Sequence, residues 1–234
     1  MRSTFLRTSR AKFSNALTIS FLWFALASLA IAGEAQHNFA RWEKDIAAFE
    51  RSDRTNPPPK GALLFVGSST IVRWKTLAQD FPGQRVINRG FGGSEILDAA
   101  HFADRIVIPY APRMIFLRAG GNDIHAGKSA KQVFEDYEEF VTKVHAKLPE
   151  TEIVFISQCP TIARWSEADE NKALNQLVAE YTKGKPHLKY IETYDMSLGA
   201  DGKPRPDLFV EDKLHFSAEG YKLLAERVRP FVPK

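Results

Sequence analysis

The sequence has almost no cysteine, and this scarcity limits the chemistry that the protein can use. Cys159 is the only cysteine among 234 residues, so no disulfide can form within the chain. The sequence also lacks a cysteine cluster and a His-Glu-x-x-His pattern, which are typical of zinc sites. We therefore expect no bound metal, and a fold that its hydrophobic core alone stabilises. A chain of this length can bury such a core.

The composition lacks any strong bias. With 44% hydrophobic and 26% charged residues, it excludes collagen-like, low-complexity and largely disordered proteins. The formal net charge is +4, but four basic residues lie within the first 12 positions and no acidic residue precedes Glu34. Without residues 1–32 the chain carries 28 basic and 28 acidic residues. A nucleic-acid-binding domain normally keeps a basic excess on its folded part, so we expect no nucleic-acid partner.

The first 32 residues have the pattern of an export signal. A basic stretch precedes the apolar run 16–32, which ends in the small residues Ala30-Ile31-Ala32. This order predicts a secretory signal peptide at residues 1–32. The protein is then expected to be periplasmic or secreted, with no stable membrane association after cleavage. An uncleaved membrane anchor is the alternative, because the run is at the short limit for a spanning helix.

After the signal, helical spacing of Phe39, Trp42, Ile46 and Phe49 predicts a helix that stops before the prolines at 57–59. We assign residues 33–60 to this helix and a linker that packs on the domain, and residues 61–234 to the domain itself.

Five short apolar runs then alternate with helical patterns. They are rich in Val, Ile and Phe, as expected for strands buried on both faces of a parallel sheet. The runs are Ala62–Val66, Arg85–Asn88, Met114–Ala119, Ile153–Ser157 and Leu188–Glu192. The helical patterns are 94–103, 129–148, 168–183 and 217–228. This alternation predicts an α/β fold, a three-layer α/β/α sandwich with a five-stranded parallel sheet.

Polar and glycine-rich sequences follow several of these predicted strands. They are Gly67-Ser68-Ser69-Thr70, the segment 88–93 that ends in Gly92-Gly93, Gly120-Gly121-Asn122-Asp123 and Asp212-Lys213-Leu214-His215. Ligands of parallel α/β sheets bind at the carboxyl ends of the strands. We therefore expect these four sequences to meet at one site.

Together they supply what acyl transfer requires. A serine hydroxyl needs a base, and His215 is a suitable one near neutral pH. Asp212 lies three residues earlier, close enough to hold the imidazole Nδ1. The developing oxyanion needs preorganised donors, and we expect a backbone N–H in the turn at Gly93, the Asn122 amide and the Ser69 N–H.

These residues resemble those of the SGNH, or GDSL-type, hydrolases. The matching residues are Gly67-Ser68-Ser69, Gly93, Gly120-x-Asn122-Asp123 and Asp212-x-x-His215, so the likeness extends from about residue 61 to the C-terminus. The resemblance implies a flavodoxin-like sandwich with Ser69 as nucleophile, His215 as base and Asp212 as its orienting partner. It also implies that Gly93 and Asn122 complete the oxyanion hole.

One position departs from the family pattern. Ser68 stands where the Gly-Asp-Ser sequence has aspartate, as in members similar to the platelet-activating-factor acetylhydrolases. Ser68 is also the alternative nucleophile, although the family register favours Ser69. The Gly-x-Ser-x-Gly elbow of α/β-hydrolases is absent, because Ile71 occupies its second glycine position.

Other patterns in the chain are weaker. Residues 121–129 imitate a phosphate-binding loop with the wrong spacing, and 88–95 fail the dinucleotide pattern, so we expect no nucleotide cofactor. Asp123 is expected to brace its loop, and His125 to be a loop residue. We expect Trp74 in the core. Arg73, Arg164 and Trp165 have open roles and are not assigned to the site.

The sequence thus predicts a serine esterase that hydrolyses short-chain, acetyl-type esters, with a small-molecule or carbohydrate ester as its substrate. One alternative is a lysophospholipase or thioesterase with the same catalytic set. The other is a catalytically silent carbohydrate-binding relative.

Overall fold

Five parallel strands form the centre of the computed structural model, which describes Met1 and residues 37–233. The strands are β1 (Leu63–Gly67), β2 (Val86–Gly90), β3 (Met114–Arg118), β4 (Glu152–Ile156) and β5 (Leu188–Ile191). Their order in the sheet is β2-β1-β3-β4-β5, and every neighbouring pair is parallel. This is the flavodoxin-like order, which confirms the predicted fold class. Ligands of such sheets bind where the strand order reverses, here at the carboxyl ends of β1 and β3.

The described helices cover both faces of this sheet. They are α1 (Glu43–Thr55), α2 (Ser69–Val72), α3 (Leu77–Asp80), α4 (Ile96–His101), α5 (Ala103–Ile106), α6 (Gly121–His125), α7 (Ala130–His145), α8 (Ala168–Thr182) and α9 (Ala218–Val228). Short 3₁₀ turns lie at Phe39–Trp42, Ile108–Tyr110, Trp165–Glu167, Asp195–Ser197, Pro206–Leu208 and Arg229–Phe231.

Side chains of the strands alternate between two hydrophobic clusters, one on each face. Leu64 and Val66 of β1 pack with buried residues of α1, α4, α7 and α8. Leu63 and Phe65 pack on the opposite face with residues of α2, α3 and α9. All five residues of β1 and of β3 are buried. This two-sided burial explains why the strands appear in the sequence as continuous apolar runs.

The chain divides into two units, Met1–His37 and Asn38–Lys234, and the account below concerns the second. The predicted signal peptide at 1–32, with residues 33–36, lies outside the described residues. Among the helices described, none is both long and apolar enough to cross a membrane.

Helix α1 is fastened to the domain by ion pairs. Arg105 binds Glu43 and Glu50 at 2.8 and 2.7 Å. The buried Arg89, at the end of β2, binds Asp53 near the end of the helix. The helix ends at Thr55, directly before Asn56 and the prolines at 57–59, where the sequence predicted that it would stop.

Candidate active site

A sharp turn links β1 to α2 and places Ser69 at the carboxyl edge of the sheet. Gly67 has a φ of +141°, and a Cβ added there would lie 2.0 Å from the carbonyl oxygen of Arg118 on the neighbouring strand. The Ser68 N–H donates to that same oxygen at 3.2 Å. Only glycine fits so close to another backbone, so the turn is fixed. Ser69 is consequently the first residue of α2.

Ser69, His215 and Asp212 form a continuous hydrogen-bonded chain. The Ser69 Oγ lies 2.9 Å from the His215 Nε2, and the His215 Nδ1 lies 2.7 Å from the Asp212 Oδ2. With its proton on Nδ1, the imidazole donates to the carboxylate and accepts from the serine hydroxyl. The structure therefore brings together three residues that the sequence predicted as a catalytic set.

The Asp212 carboxylate is held by its own turn. Its Oδ1 accepts hydrogen bonds from the backbone N–H groups of His215 and Leu214, at 2.9 and 3.0 Å. These bonds, with the one from the imidazole, hold the pKa of Asp212 well below its usual range. Between them, Lys213 adopts a left-handed conformation with a φ of +58°. The carboxylate thus stays ionised and fixes the imidazole over Ser69.

Asn122 is anchored at both ends of its amide. Its Nδ2 donates to the carbonyl oxygen of Ser94 at 3.0 Å, and its Oδ1 accepts from the Nη1 of Arg164 at 3.0 Å. The same Nη1 also donates to the carbonyl oxygen of Gly121 at 3.0 Å. One Nδ2 hydrogen is engaged by Ser94, which leaves the second available to an oxyanion.

Gly93 lies in the turn after β2, with a φ of +80°. A Cβ added there would lie 3.2 Å from the indole of Trp42, so the Gly93 turn packs directly on the 3₁₀ turn Phe39–Trp42. The backbone N–H groups of Gly93 and Ser69 donate to no acceptor among the described residues. Free N–H groups are what an oxyanion hole requires.

A small cavity of about 60 Å³ lies beside Ser69. It is lined by Ser68, Ser69, Thr70, Arg118, Gly121, Asn122, Gln158, Cys159, Thr161, Arg164, Asn171, Leu214, His215 and Phe216. Of the predicted site residues, Ser69, Asn122 and His215 line it directly. Asp212 lies behind His215, and Gly93 precedes Ser94, the residue that Asn122 contacts.

Two arginines of this cavity were not assigned to the site from the sequence. The sequence leaves the role of Arg164 open, and the usable signal is its position in the loop after β4, at the carboxyl edge of the sheet. Arg118 ends the apolar run of β3, so it was not recognised as a cavity residue. The neighbouring Trp165 is 42% exposed and does not line the cavity.

The expectations for Asp123 and Trp74 are confirmed, and the one for His125 is not. Asp123, which lies in α6, braces the chain after β3, because its Oδ1 accepts from the N–H of Ile96 at the start of α4 at 2.9 Å. Burial raises the pKa of this carboxyl to about 7. Trp74 is buried in the core. His125 is not a loop residue as expected but the last residue of α6, and its exposed side chain contacts Glu167 at 2.6 Å. No group of residues with metal-binding composition occurs within 37–233.

Comparisons with solved structures show the same fold in other proteins. A structure from Streptococcus pneumoniae named for platelet activating factor has a TM-score of 0.72 and 20% identity, covering 82% of this chain and 94% of its own. A GDSL-like lipase from Bacteroides thetaiotaomicron has a TM-score of 0.61 and 17% identity, covering 83% and 96%. A mutant acetyl-xylooligosaccharide esterase from a Geobacillus species has a TM-score of 0.55 and 18% identity, covering 76% and 97%.

At sequence identities this low, these structures show that the chain shares their fold and nothing more. No curated protein sequence matches the chain. However, the sequence profile of the GDSL-like lipase/acylhydrolase family matches residues 58–223, which contain the turn after β1, the Gly93 turn, the Asn122 loop and the Asp212–His215 turn. The chain therefore belongs to the GDSL-like lipase/acylhydrolase family, and it is a hydrolase that acts on ester bonds.

Proposed function

We propose that this hydrolase is an exported serine esterase for short-chain, acetyl-type esters, with Ser69 as its nucleophile. The observation that carries the proposal is the unbroken chain from the Ser69 Oγ through His215 to Asp212, at 2.9 and 2.7 Å. A serine hydroxyl is a weak nucleophile until an adjacent base takes its proton. The 2.9 Å between the Ser69 Oγ and the His215 Nε2 is short enough for that transfer.

In the first half of the reaction, the Ser69 Oγ attacks the ester carbonyl carbon and its proton moves to the His215 Nε2. The Asp212 carboxylate stabilises the resulting imidazolium. The Nδ2 of Asn122 and the N–H groups of Gly93 and Ser69 donate to the oxyanion. As the intermediate collapses, the alcohol leaves with the proton from Nε2, and an acyl group remains on Ser69.

In the second half, a water molecule attacks the acyl group while the same Nε2 takes its proton. The tetrahedral intermediate collapses, the proton returns to the Ser69 Oγ, and the acid is released. His215 thus acts as base and then as acid in each half, without any net change.

The size and polarity of the cavity support a short acyl group. A water-sized group needs about 10–15 Å³, so about 60 Å³ holds only a few heavy atoms beside Ser69. Its walls are mostly polar, and Arg118 and Arg164 are among the residues that line it. An alkyl chain of eight carbons would lie against polar walls and extend beyond this small space, which disfavours a lysophospholipase or thioesterase.

The nature of the alcohol and the location of the protein complete the proposal. Acetylated carbohydrate is our candidate substrate class, and the structural neighbour from Geobacillus acts on acetylated xylooligosaccharide. Export to the periplasm or beyond rests on the signal-like pattern of residues 1–32.

A chain-length series tests the proposed activity. We expect kcat/KM to be highest for p-nitrophenyl acetate and to fall more than about tenfold from acetate to octanoate, because the small polar cavity gives the longer chain no apolar surface to bind. The Ser69→Ala variant measures the background rate. A preference for octanoate would contradict the proposal in favour of a long-chain enzyme. Failure to hydrolyse any of the esters would indicate a silent binding protein.

A further inference from the structure

Two arginines line the small cavity beside Ser69. Arg118 is the last residue of β3, and Arg164 lies in the loop after β4. None of the residues that line the cavity is acidic. In the part of the chain that the structure describes, no carboxylate oxygen lies within 4.0 Å of either guanidinium, so neither forms an ion pair. The catalytic steps above use neither of these charges.

Arg118 is a buried charge with neutral partners only. Its side chain is 3% exposed. Its Nη1 donates to the carbonyl oxygen of Ser157 and to the Thr193 Oγ1, and its Nη2 lies 3.4 Å from the Cys159 Sγ. Its buried Nε has no hydrogen-bond partner. Taking a charge out of water is costly unless an opposite charge compensates it. No group of the described chain provides that charge.

Arg164 is half-buried and also lacks a counter-ion. Its Nη1 binds the neutral oxygens of Gly121 and Asn122, while its Nε and Nη2 donate to no acceptor among the described residues. Burial lowers the pKa of this guanidinium. The charge of Glu167 acts in the opposite direction and raises the pKa of Arg164. The Glu167 carboxylate forms no ion pair with Arg164, because it contacts the His125 Nδ1 at 2.6 Å.

The shape and size of the cavity select among anions. A guanidinium binds a carboxylate through two parallel hydrogen bonds, and a carboxylate is planar and compact. A phosphate monoester group is bulkier, and the cavity of about 60 Å³ must also admit atoms next to the reacting carbonyl. Both anions match guanidinium donors, and the small cavity favours the carboxylate because it is the more compact of the two.

From this geometry we infer that the cavity binds a carboxylate of the substrate, a few bonds from the scissile ester, through Arg118 and Arg164. The inference deepens the proposed function and rests on it. The carboxylate belongs either to the acyl group, as in a dicarboxylic acid half-ester, or to the alcohol, as in an acetylated hydroxy acid. Both sources present the same chemistry to the arginines.

Two pairs of substrates, matched in length and differing in charge, distinguish these sources. Ethyl hydrogen succinate against ethyl succinamate tests the acyl side, and acetoxyacetate against acetoxyacetamide tests the alcohol side. For one pair we expect kcat/KM to be about 10- to 100-fold higher for the anion, the range for hydrogen bonds to a charged group. We also expect malonate, but not malonamide, to inhibit hydrolysis of p-nitrophenyl acetate competitively.

Variants assign the effect to the arginines. In Arg164→Gln and Arg118→Gln the ratio of the anionic to the neutral substrate is expected to fall to within about threefold of one. The ratio is the correct readout because Arg164 also holds Asn122, so its loss slows both members of a pair. The matched control is Arg227→Gln. Arg227 is an exposed arginine on α9 that pairs with Asp195, and its variant is expected to keep the wild-type ratio.

The outcomes separate this inference from the proposed function. Equal kcat/KM within both pairs, with no inhibition by malonate, overturns the carboxylate site even if p-nitrophenyl acetate is hydrolysed well. These wild-type measurements hold even if Arg118→Gln does not fold. An anion preference that survives in Arg164→Gln overturns the assignment to this cavity. Loss of all ester hydrolysis in the wild-type protein contradicts the proposed function instead.

Discussion

Replacement of Asn122 by alanine tests the oxyanion hole, because its proposed role is confined to the transition state. A donor aimed at the oxyanion strengthens as charge develops and contributes little to ground-state binding. We expect kcat for p-nitrophenyl acetate to fall by about 10²–10³, or about 3–4 kcal/mol, with KM little changed.

The same substitution also has a structural cost that can be worked from its contacts. Asn122 makes two hydrogen bonds of 3.0 Å, to the Ser94 carbonyl oxygen and from the Arg164 Nη1. At about 1 kcal/mol each, their loss lowers the free energy of unfolding by about 2 kcal/mol. For a domain of this size that corresponds to a fall in Tm of about 4–8 °C. The variant should therefore remain folded at 25 °C.

Asn88→Ala is the matched control. The Asn88 amide also makes two hydrogen bonds, to the Ile71 carbonyl oxygen at 2.7 Å and from the Gly90 N–H at 2.9 Å, but it does not line the cavity. We expect a similar fall in Tm, by circular dichroism, with kcat within about threefold of the wild type. If Asn122→Ala kept a near-wild-type kcat, the oxyanion role of Asn122 would be refuted.

Three further predictions follow from the contacts of single residues. Asp212→Asn should lower kcat/KM at pH 7 by about 10²–10⁴, since no carboxylate then stabilises the imidazolium, while the circular dichroism spectrum is unchanged. Burial raises the pKa of Asp123 to about 7, above the value of about 3.9 in an unfolded chain. Native protein therefore binds the extra proton, and its stability relative to Asp123→Asn should fall from pH 4 to pH 7, as measured by urea unfolding. Gly67→Ala should destabilise the fold by about 3 kcal/mol or more, since its Cβ meets the Arg118 carbonyl oxygen, whereas Gly83→Ala, with open space around it, should cost about 1 kcal/mol.

Each of these predictions has a contradicting result. Full activity of Asp212→Asn at pH 7 would remove the carboxylate from the mechanism. A stability difference between wild type and Asp123→Asn that is the same at pH 4 and pH 8 would show that this carboxyl titrates normally. Equal stabilities of Gly67→Ala and Gly83→Ala would show that the turn after β1 can open to admit a side chain.

The sheet could be predicted because two-sided burial leaves a direct trace in the sequence. The run Met114–Ala119 predicts β3, and the observed strand, Met114–Arg118, differs by one residue at its end. The pattern 94–103 predicts one helix, whereas the structure has α4 and α5, separated at Phe102. α4 begins only at Ile96, because Glu95 and Asp98 form a capping box at its start.

The candidate site could be predicted only where its residues follow strands in recognisable sequences. His215 and Ser69 are 146 positions apart, and the parallel sheet brings them within 2.9 Å, as the strand-end argument requires. The contact of Arg164 with Asn122 depends on the path of the loop after β4, which no periodicity in the sequence specifies. Arg118 was missed because a charge at the end of an apolar run gives no indication of the neutral groups that surround it.

The central claim is that Ser69 is the nucleophile and that His215 activates it. A fluorophosphonate probe tests this most directly, since its phosphorus bonds to an activated serine Oγ as fluoride leaves, and peptide mass spectrometry locates the adduct. We predict one adduct on Ser69, which is lost in Ser69→Ala, retained in Ser68→Ala, and formed far more slowly in His215→Ala. An adduct on Ser68, or no serine adduct at all, would contradict the account.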